Sequence, residues 1–417
     1  LLYRILKVWV KAGYTFYFGK IEVEGLENVD PNKAAIFAVN HPSAFIEPTL
    51  IAVQSPFDVH FMTRGDVFIK RFKWFFEGTN QVPVFRFKDG FSSLRNNKSS
   101  FDKCHEKLIS GAKLLIFCEG SMKWIKRLRP VQQGAAKLAM GTLTKQADLP
   151  LVIHPVGVNY EDHSRPGSAI MLQFGPPIQM EEYFQKYQNS NREVILEITQ
   201  HLQAALQECI VHIEEDKDLK LLDAIWSPML SLETPKDSKY SGELFSRYKN
   251  ASNWINGLNS GEKQNFRTQV SNYTKKLKSL HLNDRELHAF QKLNWFDFLW
   301  ILSLGSILKI VFELNKLPFR LADYISKKKT PNIEFYVSVK AVLTTMLYSF
   351  FIIVLLIFWS PVWQPVLFVL LGWLGSKTNQ KWMALVKGIQ RNQKKADEAY
   401  EARNQLVDFL KTKINYE

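Results

Sequence analysis

The sequence predicts an α/β fold: a mostly parallel sheet flanked by helices, then a helical insertion and a C-terminal membrane helical hairpin. Three observations carry this. Apolar runs at Ala34 to Val39, Asp58 to Met62, Lys113 to Cys118, Leu151 to Asn159 and Ala169 to Phe174 have strand length, and stretches with helical spacing separate most of them. Chemistry-bearing residues stand where such runs stop, His41 after the first and Glu119 after the third. In an open parallel sheet, ligands collect at those carboxyl ends. Finally, Ala341 to Ser376 contains no charged residue.

The chain has 417 residues and a formal charge of +14, enough for two or three domains and an anionic partner. Aromatic residues make up 13% of it, with 11 Trp, which favours a membrane interface over a nucleic-acid groove. Cys104, Cys118 and Cys209 form no CxxC pair, as expected of a reducing compartment without disulfides. No secretory leader is expected, because no charged start is followed by a small-residue cleavage site.

Taken in order, residues 1–20 predict an interfacial or docked amphipathic helix, with Arg4, Lys7 and Lys11 on one face. Residues 21–212 form the expected α/β domain. Within it, Ile21 to Val29 reads as a strand and turn. The loop NHPSAFIEP, Asn40 to Pro48, joins a strand to a helix, with Pro48 suited to a first helical position. It holds one imidazole, His41, and one carboxylate, Glu47. A histidine removes a hydroxyl proton near neutral pH, and a carboxylate on its other nitrogen fixes the tautomer. The plainer alternative is a loop histidine bonded to a backbone carbonyl. Arg64 follows the second strand, and cationic and aromatic residues then interleave from Lys70 to Phe76, as on a surface touching anionic lipid. The strand Gln81 to Arg86 ends in an arginine that can present a planar fork to phosphate. Ser92 to Ser110 and Val131 to Met140 read as helices, and the segment before the second is basic through Arg129. Glu181 to His212 is helical, with a break at residues 189–191.

Residues 213–295 read as a polar helical insertion. Within 296–376, Phe298 to Phe312 is apolar but interrupted by Lys309, which predicts an interfacial or re-entrant helix. Ala341 to Trp359 is 19 residues, about 28 Å of helix, near one bilayer core. Lysines flank the stretch 341–376 on both sides, predicting a hairpin with both ends cytoplasmic and Trp359 and Trp363 at the far interface. Residues 377–417 read as an amphipathic helical tail.

Four stretches together resemble the phospholipid/glycerol acyltransferase family: NHPSAFIEP, QVPVFR, FCEGS with RPVQQGAAKLAM downstream, and VIHPVGVNY. Their order and spacing are similar to the family's four blocks, over roughly residues 20 to 180. The wording resembles the glycerol-3-phosphate and dihydroxyacetone-phosphate branch with a carboxy-terminal membrane segment. The resemblance implies that His41 is the general base and that Glu47 stands where the family has aspartate. It implies that Arg86 holds a phosphate and that Glu119 and Gly120, with Ser121 beside them, bind the acceptor. Arg64 and Arg129 are further candidates for the phosphate, and Pro155 for the wall of the acyl-donor site. Five residues separate His41 from Glu47 where four are usual, and Cys118 replaces a proline.

The implied activity is transfer of a fatty acyl group from acyl-CoA or acyl-ACP to glycerol 3-phosphate or 1-acylglycerol 3-phosphate in phospholipid biosynthesis. The catalytic domain is then expected on the cytoplasmic face of a membrane, with membrane lipids as partners and no metal or bound cofactor. The alternatives are a lysophospholipid or lyso-aminolipid O-acyltransferase, or a catalytically silent membrane-binding scaffold.

Overall fold

The computed structural model describes residues 1–65, 68, 70–84, 91–162, 165–187, 191–230, 243–291, 295–330, 332–389 and 393–414. Helix α1 (Leu2–Tyr17) leads into strand β1 (Lys20–Glu24). There follow β2 (Ala34–Val39), α2 (Ile46–Gln54), β3 (Val59–Arg64), α3 (Lys73–Gly78), β4 (Gln81–Val84), α4 (Phe91–Ile109) and β5 (Lys113–Phe117). Then come α5 (Gly134–Lys145), β6 (Leu151–Tyr160), β7 (Ala169–Phe174), β8 (Ile178–Gln179), α6 (Glu181–Tyr187) and α7 (Asn191–Glu208).

These strands form one sheet in the order β1-β7-β6-β2-β5-β3-β4, with β8 also on β6. β6, β2, β5, β3 and β4 run parallel, while β7 and β8 run antiparallel to β6. The mostly parallel α/β sheet expected from the sequence is therefore present. β2 is the middle strand and is buried at all six positions, which is why it reads as a continuous apolar run and not an alternating one. On one face Ile36, Leu114 and Ile153 pack beneath Ala135, Leu138 and Ala139 of α5 and Ile198 and Leu202 of α7. Each such large side chain contributes about 1.5–3 kcal/mol on burial.

Two boundaries differ from expectation for local reasons. Val131 and Gln132 stay outside α5 because their N–H groups donate to Gln203 Oε1 (2.7 Å) and Cys118 O (2.8 Å). Pro48 is the third residue of α2, not its first; the first turn has no intrahelical acceptor for N–H groups, so the position tolerates proline. Helix α1 is docked by a polar face. Lys7 Nζ donates to Ser55 O (2.7 Å) and Phe57 O (3.1 Å), and Tyr14 and Tyr17 are buried. Lys7 thus turns inward, while Leu1, Ile5, Val8 and Phe16 remain exposed.

Burial of imidazoles in this sheet domain makes its stability depend on pH. His105 is buried with Nδ1 2.9 Å from Thr142 Oγ1, and His154 with Nδ1 3.3 Å from Gly175 O. Burial is the chief cause that lowers both imidazoles below their ordinary value. The unfolded chain therefore binds protons that the folded one refuses, so stability is kept above the ordinary histidine value near 6.5 and lost as pH falls below it. The melting temperature should drop between about pH 7 and 5.5, with about 2–4 °C for each kcal/mol lost. The His154→Gln variant should show a shallower drop; an identical slope would sink the assignment to His154.

By contact grouping the chain forms two compact units: Leu1–His212 with Ser241–Ser246 and Thr330–Ala341, and Ile213–Tyr240 with Arg247–Lys329 and Val342–Glu417. The remaining helices are α8 (Leu219–Leu230), α9 (Glu243–Gly257), α10 (Ser260–Ser279), α11 (Asp284–Gln291), α12 (Trp295–Trp300), α13 (Ser306–Asn315), α14 (Leu317–Lys329), α15 (Ile333–Phe358), α16 (Trp363–Ile389) and α17 (Gln393–Lys413). The segments 213–295, 296–376 and 377–417, which the sequence pattern sets apart, largely share the second unit. A buried ion pair ties the first of them to the last: Arg403 Nε donates to Asp284 Oδ1 (2.8 Å), which also accepts from Tyr273 Oη (2.5 Å). Lys309 does not interrupt its helix, because Nζ reaches Asn379 Oδ1 (2.5 Å) and Glu313 Oε1 (2.7 Å). Gly375 lets α13 lie close to α16, since a Cβ there would stand 2.4 Å from Leu308 O. Among the described residues α15 is the one helix long and apolar enough to cross a bilayer, while Trp363–Ser376 is a shorter apolar stretch.

Candidate active site

The carboxyl ends of β6, β2 and β5 lie side by side, and the candidate residues converge there. Beyond β2, the Asn40 side chain bonds both Val158 N (2.8 Å) and Val158 O (3.1 Å) of β6. That double bond fixes the chain direction just before His41. The His41 ring stacks on Phe117, the last residue of β5, at 3.6 Å between centroids and 8° between planes. Its Nδ1 is 3.4 Å from Glu47 Oε2. This is ion-pair distance, longer than a tight hydrogen bond, as catalytic contacts often are before substrate arrives. With Nδ1 turned to the carboxylate, Nε2 is the ring nitrogen that faces away from it. The His41 side chain is 14% exposed and that of Glu47 0%.

Glu47 lies in the first turn of α2, where the helix dipole favours negative charge. Its Oε1 accepts a 2.7 Å hydrogen bond from Tyr160 Oη. Burial, and next the Glu47 charge, raise the Tyr160 phenol well above its ordinary range, so it remains a donor. Behind it, Tyr14 Oη lies 2.5 Å from Thr49 Oγ1. Sequence reasoning does not single out Tyr160 or Tyr14. Tyr160 closes the VIHPVGVNY stretch on the strand beside β2, which is the available signal; Tyr14 has none.

Glu119 joins two loops. Its Oε2 accepts from His41 N (3.0 Å) and Arg129 Nη2 (2.9 Å), and its Oε1 from Arg129 N (2.9 Å). Both carboxylate oxygens are thus engaged in holding the His41 and Arg129 backbones. Arg129 Nη1 donates to Ser121 Oγ (2.7 Å), and Gly120 between them has φ +69°, which favours glycine. Arg64 is exposed at the end of β3. Arg86 lies outside the described residues. Pro155 stands apart from the cluster, buried in mid-β6 opposite Ala38, with its carbonyl accepting from Gly175 N (2.8 Å). Cys118 is buried, and burial pushes its thiol up, which suits an inert small side chain and not a nucleophile. A cleft at the same strand ends is lined by Asn40, Pro42, Trp124, Arg127 and Tyr160, neighbours of His41 and not His41 itself. Among the described residues no group of three His, Cys, Asp or Glu side chains is placed to hold a metal ion.

Residues 20–159 match the family described as Acyltransferase. Glycerol-3-phosphate O-acyltransferase 1 of Saccharomyces cerevisiae is 30% identical over 113 residues, 26% of this chain and 15% of its own length. Glycerol-3-phosphate O-acyltransferase 2 of the same yeast is 24% identical over 218 residues, 50% of this chain and 27% of its own. An uncharacterised acyltransferase of Schizosaccharomyces pombe is 28% identical over 126 residues, 30% of this chain and 19% of its own. The aligned stretches thus span roughly a quarter or less of these relatives. Among solved structures, the 1-acyl-sn-glycerophosphate (LPA) acyltransferase PlsC of Thermotoga maritima superposes with TM-score 0.36 at 18% identity, covering 49% of this chain and 78% of that one. The stretch matching the family contains His41, Glu47 and Glu119, and Tyr160 follows its last residue. Residues 20–159 are thus similar to the acyltransferase family.

Proposed function

We propose that the chain transfers a fatty acyl group from acyl-CoA or acyl-ACP to a hydroxyl of glycerol 3-phosphate or 1-acylglycerol 3-phosphate. The observation that carries this is the imidazole–carboxylate pair of His41 and Glu47 at the end of the central strand. His41 Nε2 takes the acceptor's hydroxyl proton as its oxygen attacks the thioester carbonyl carbon. Glu47 stabilises the imidazolium that forms. When the tetrahedral intermediate collapses, the C–S bond breaks and the imidazolium returns its proton to the departing thiolate. Ester and free thiol are the products, and His41 is neutral again. General-base help of this kind contributes about 10²- to 10⁴-fold.

The acceptor class is supported by the yeast relatives' names and by the cationic residues near the strand ends. Arg64 ends β3 and Arg127 lines the cleft; Arg86, just beyond β4, completes the proposed phosphate contacts. Guanidinium groups hold phosphate in a fixed orientation, which converts binding into positioning. The acyl donor, in this reading, occupies the same end of the sheet, beside the end of β6. We place the protein on a membrane, with α15 as its span and the sheet domain on the cytoplasmic side. The apolar helix and the basic–aromatic stretch Lys70 to Phe76 support that placement, and both a fatty acyl donor and its product prefer lipid.

An acceptor panel with labelled acyl-CoA and acyl-ACP tests the reading on detergent-solubilised full-length protein. Glycerol 3-phosphate or its 1-acyl form should be acylated at least tenfold faster than non-phosphorylated glycerol or lyso-aminolipids. Transfer confined to non-phosphorylated acceptors would overturn the substrate assignment.

A further inference from the structure

The His41 loop does not rest only on its own sheet. The first turns of α15 return to it from nearly three hundred residues away. Ser338, fully buried, receives two backbone donors from that loop: Ala44 N–H at 3.2 Å and Phe45 N–H at 3.0 Å from its Oγ. Those residues sit immediately before α2, whose start has no side-chain cap of its own. The hydroxyl of Ser338 therefore does for this helix entrance what a capping side chain does elsewhere. Ser338 Oγ also lies 2.6 Å from Ser43 Oγ, and Ser43 is itself fully buried. Glu334, one turn earlier, accepts from Trp124 N at 3.1 Å, and Phe335 meets Phe45 edge-on with ring centroids 5.8 Å apart.

The hydrogen-bond directions close on one pattern. Ser338 Oγ accepts two N–H groups, so its own O–H points to Ser43. From the other side, Tyr160 donates to Glu47 Oε1 at 2.7 Å. A longer contact of Ser43, 3.4 Å to Glu334 O, runs to the same helix. Ser338 thus ties α15 to the loop from which α2 starts, and Glu47, the carboxylate that faces His41, lies in the first turn of that helix, in a buried setting where such groups act together.

We propose that Ser338 is a positioning residue for acyl transfer: it fixes the start of α2, and with that first turn the carboxylate of Glu47 against His41. This rests on the acyltransferase reading above. It makes the segment Thr330–Ala341 a part of the catalytic unit, although it lies far outside the residues that match the family.

The test measures kcat and KM for the phosphorylated acceptor in full-length wild type, Ser338→Ala, Ser338→Thr, Tyr160→Phe and the double variant Ser338→Ala/Tyr160→Phe. Ser338→Ala should lose about 10- to 100-fold in kcat, as a misplaced catalytic group does, with KM within about twofold. Ser338→Thr, which keeps the hydroxyl, should recover most of the rate. The double variant should be little slower than the worse single one, because both changes loosen the same carboxylate. Ser43→Ala, which removes the loop-side partner of Ser338, runs in parallel, with melting curves on every sample. If Ser338→Ala does not fold, a selective kcat loss in folded Ser43→Ala supports the positioning role, and wild-type kcat there overturns it. Wild-type kcat in Ser338→Ala, or single losses that simply multiply in the double variant, would overturn the proposal while leaving the acyl transfer reading intact. Wild type inactive on every acceptor would overturn both.

Discussion

Replacing His41 with alanine should lower kcat for acyl transfer by about 10²- to 10⁴-fold, the largest single loss expected in this protein. KM for the acceptor should change little, since the imidazole acts on the hydroxyl proton and not on the phosphate. Folding should survive the change. The ring is part-exposed and touches mainly Phe117, while the hydrogen bonds that shape the loop come from backbone: His41 N to Glu119 at 3.0 Å and Lys123 N to His41 O at 3.2 Å. Neither depends on the side chain. Single-turnover transfer from a labelled acyl donor, with a melting curve on the same sample, checks the result. A folded His41→Ala protein within threefold of wild type would remove the general base from the mechanism. It would also revive the scaffold reading, in which the domain binds lipid and catalyses nothing.

The strands are legible in the sequence because each central one is buried on both faces. β2 reads AAIFAV and is closed to solvent throughout, so no helical period competes with it. The apolar run of β6 stops one residue short of the strand's end, and that residue, Tyr160, is the one that reaches Glu47. A tyrosine at a strand end looks the same in sequence whether its hydroxyl meets water or a buried carboxylate. The pair His41 and Glu47 is legible because both lie in one loop. Ser338 is not, since its partner Ser43 is 295 residues away and a serine in an apolar helix carries no local signal. Long-range polar pairing also explains Lys309: alone it reads as an interruption, and Asn379, 70 residues on, makes it part of a packed helix pair. Local pattern thus reports which segments become helices or strands. The company kept by buried polar atoms is decided by tertiary approach, and in this domain that company builds the surroundings of the candidate site.

Glu47→Gln should be the second most damaging change, with kcat down about a hundredfold or more, and the reason lies in tautomers and not in size. The native carboxylate accepts from Tyr160 Oη at 2.7 Å on one side and faces His41 Nδ1 across 3.4 Å on the other. It therefore favours the imidazole with hydrogen on Nδ1 and a lone pair on Nε2, the form that can take a proton. An amide at this position can accept from Tyr160 only by turning its NH₂ toward Nδ1. It then favours hydrogen on Nε2, where a base is needed, and offers no charge to the imidazolium. Glu47→Asp keeps the charge but shortens the side chain by one methylene, so it cannot satisfy both partners in place; a smaller loss, about tenfold, is expected. Glu47→Ala removes the acceptor altogether and leaves the buried Tyr160 hydroxyl unpaired, which costs about 1–3 kcal/mol of stability. The three variants therefore separate charge, reach and burial. Rates should rank Asp above Gln, with the melting temperature lowest in Ala. Gln matching Asp in kcat would show that the carboxylate's charge does nothing for His41, and that its place in the site is held for packing alone.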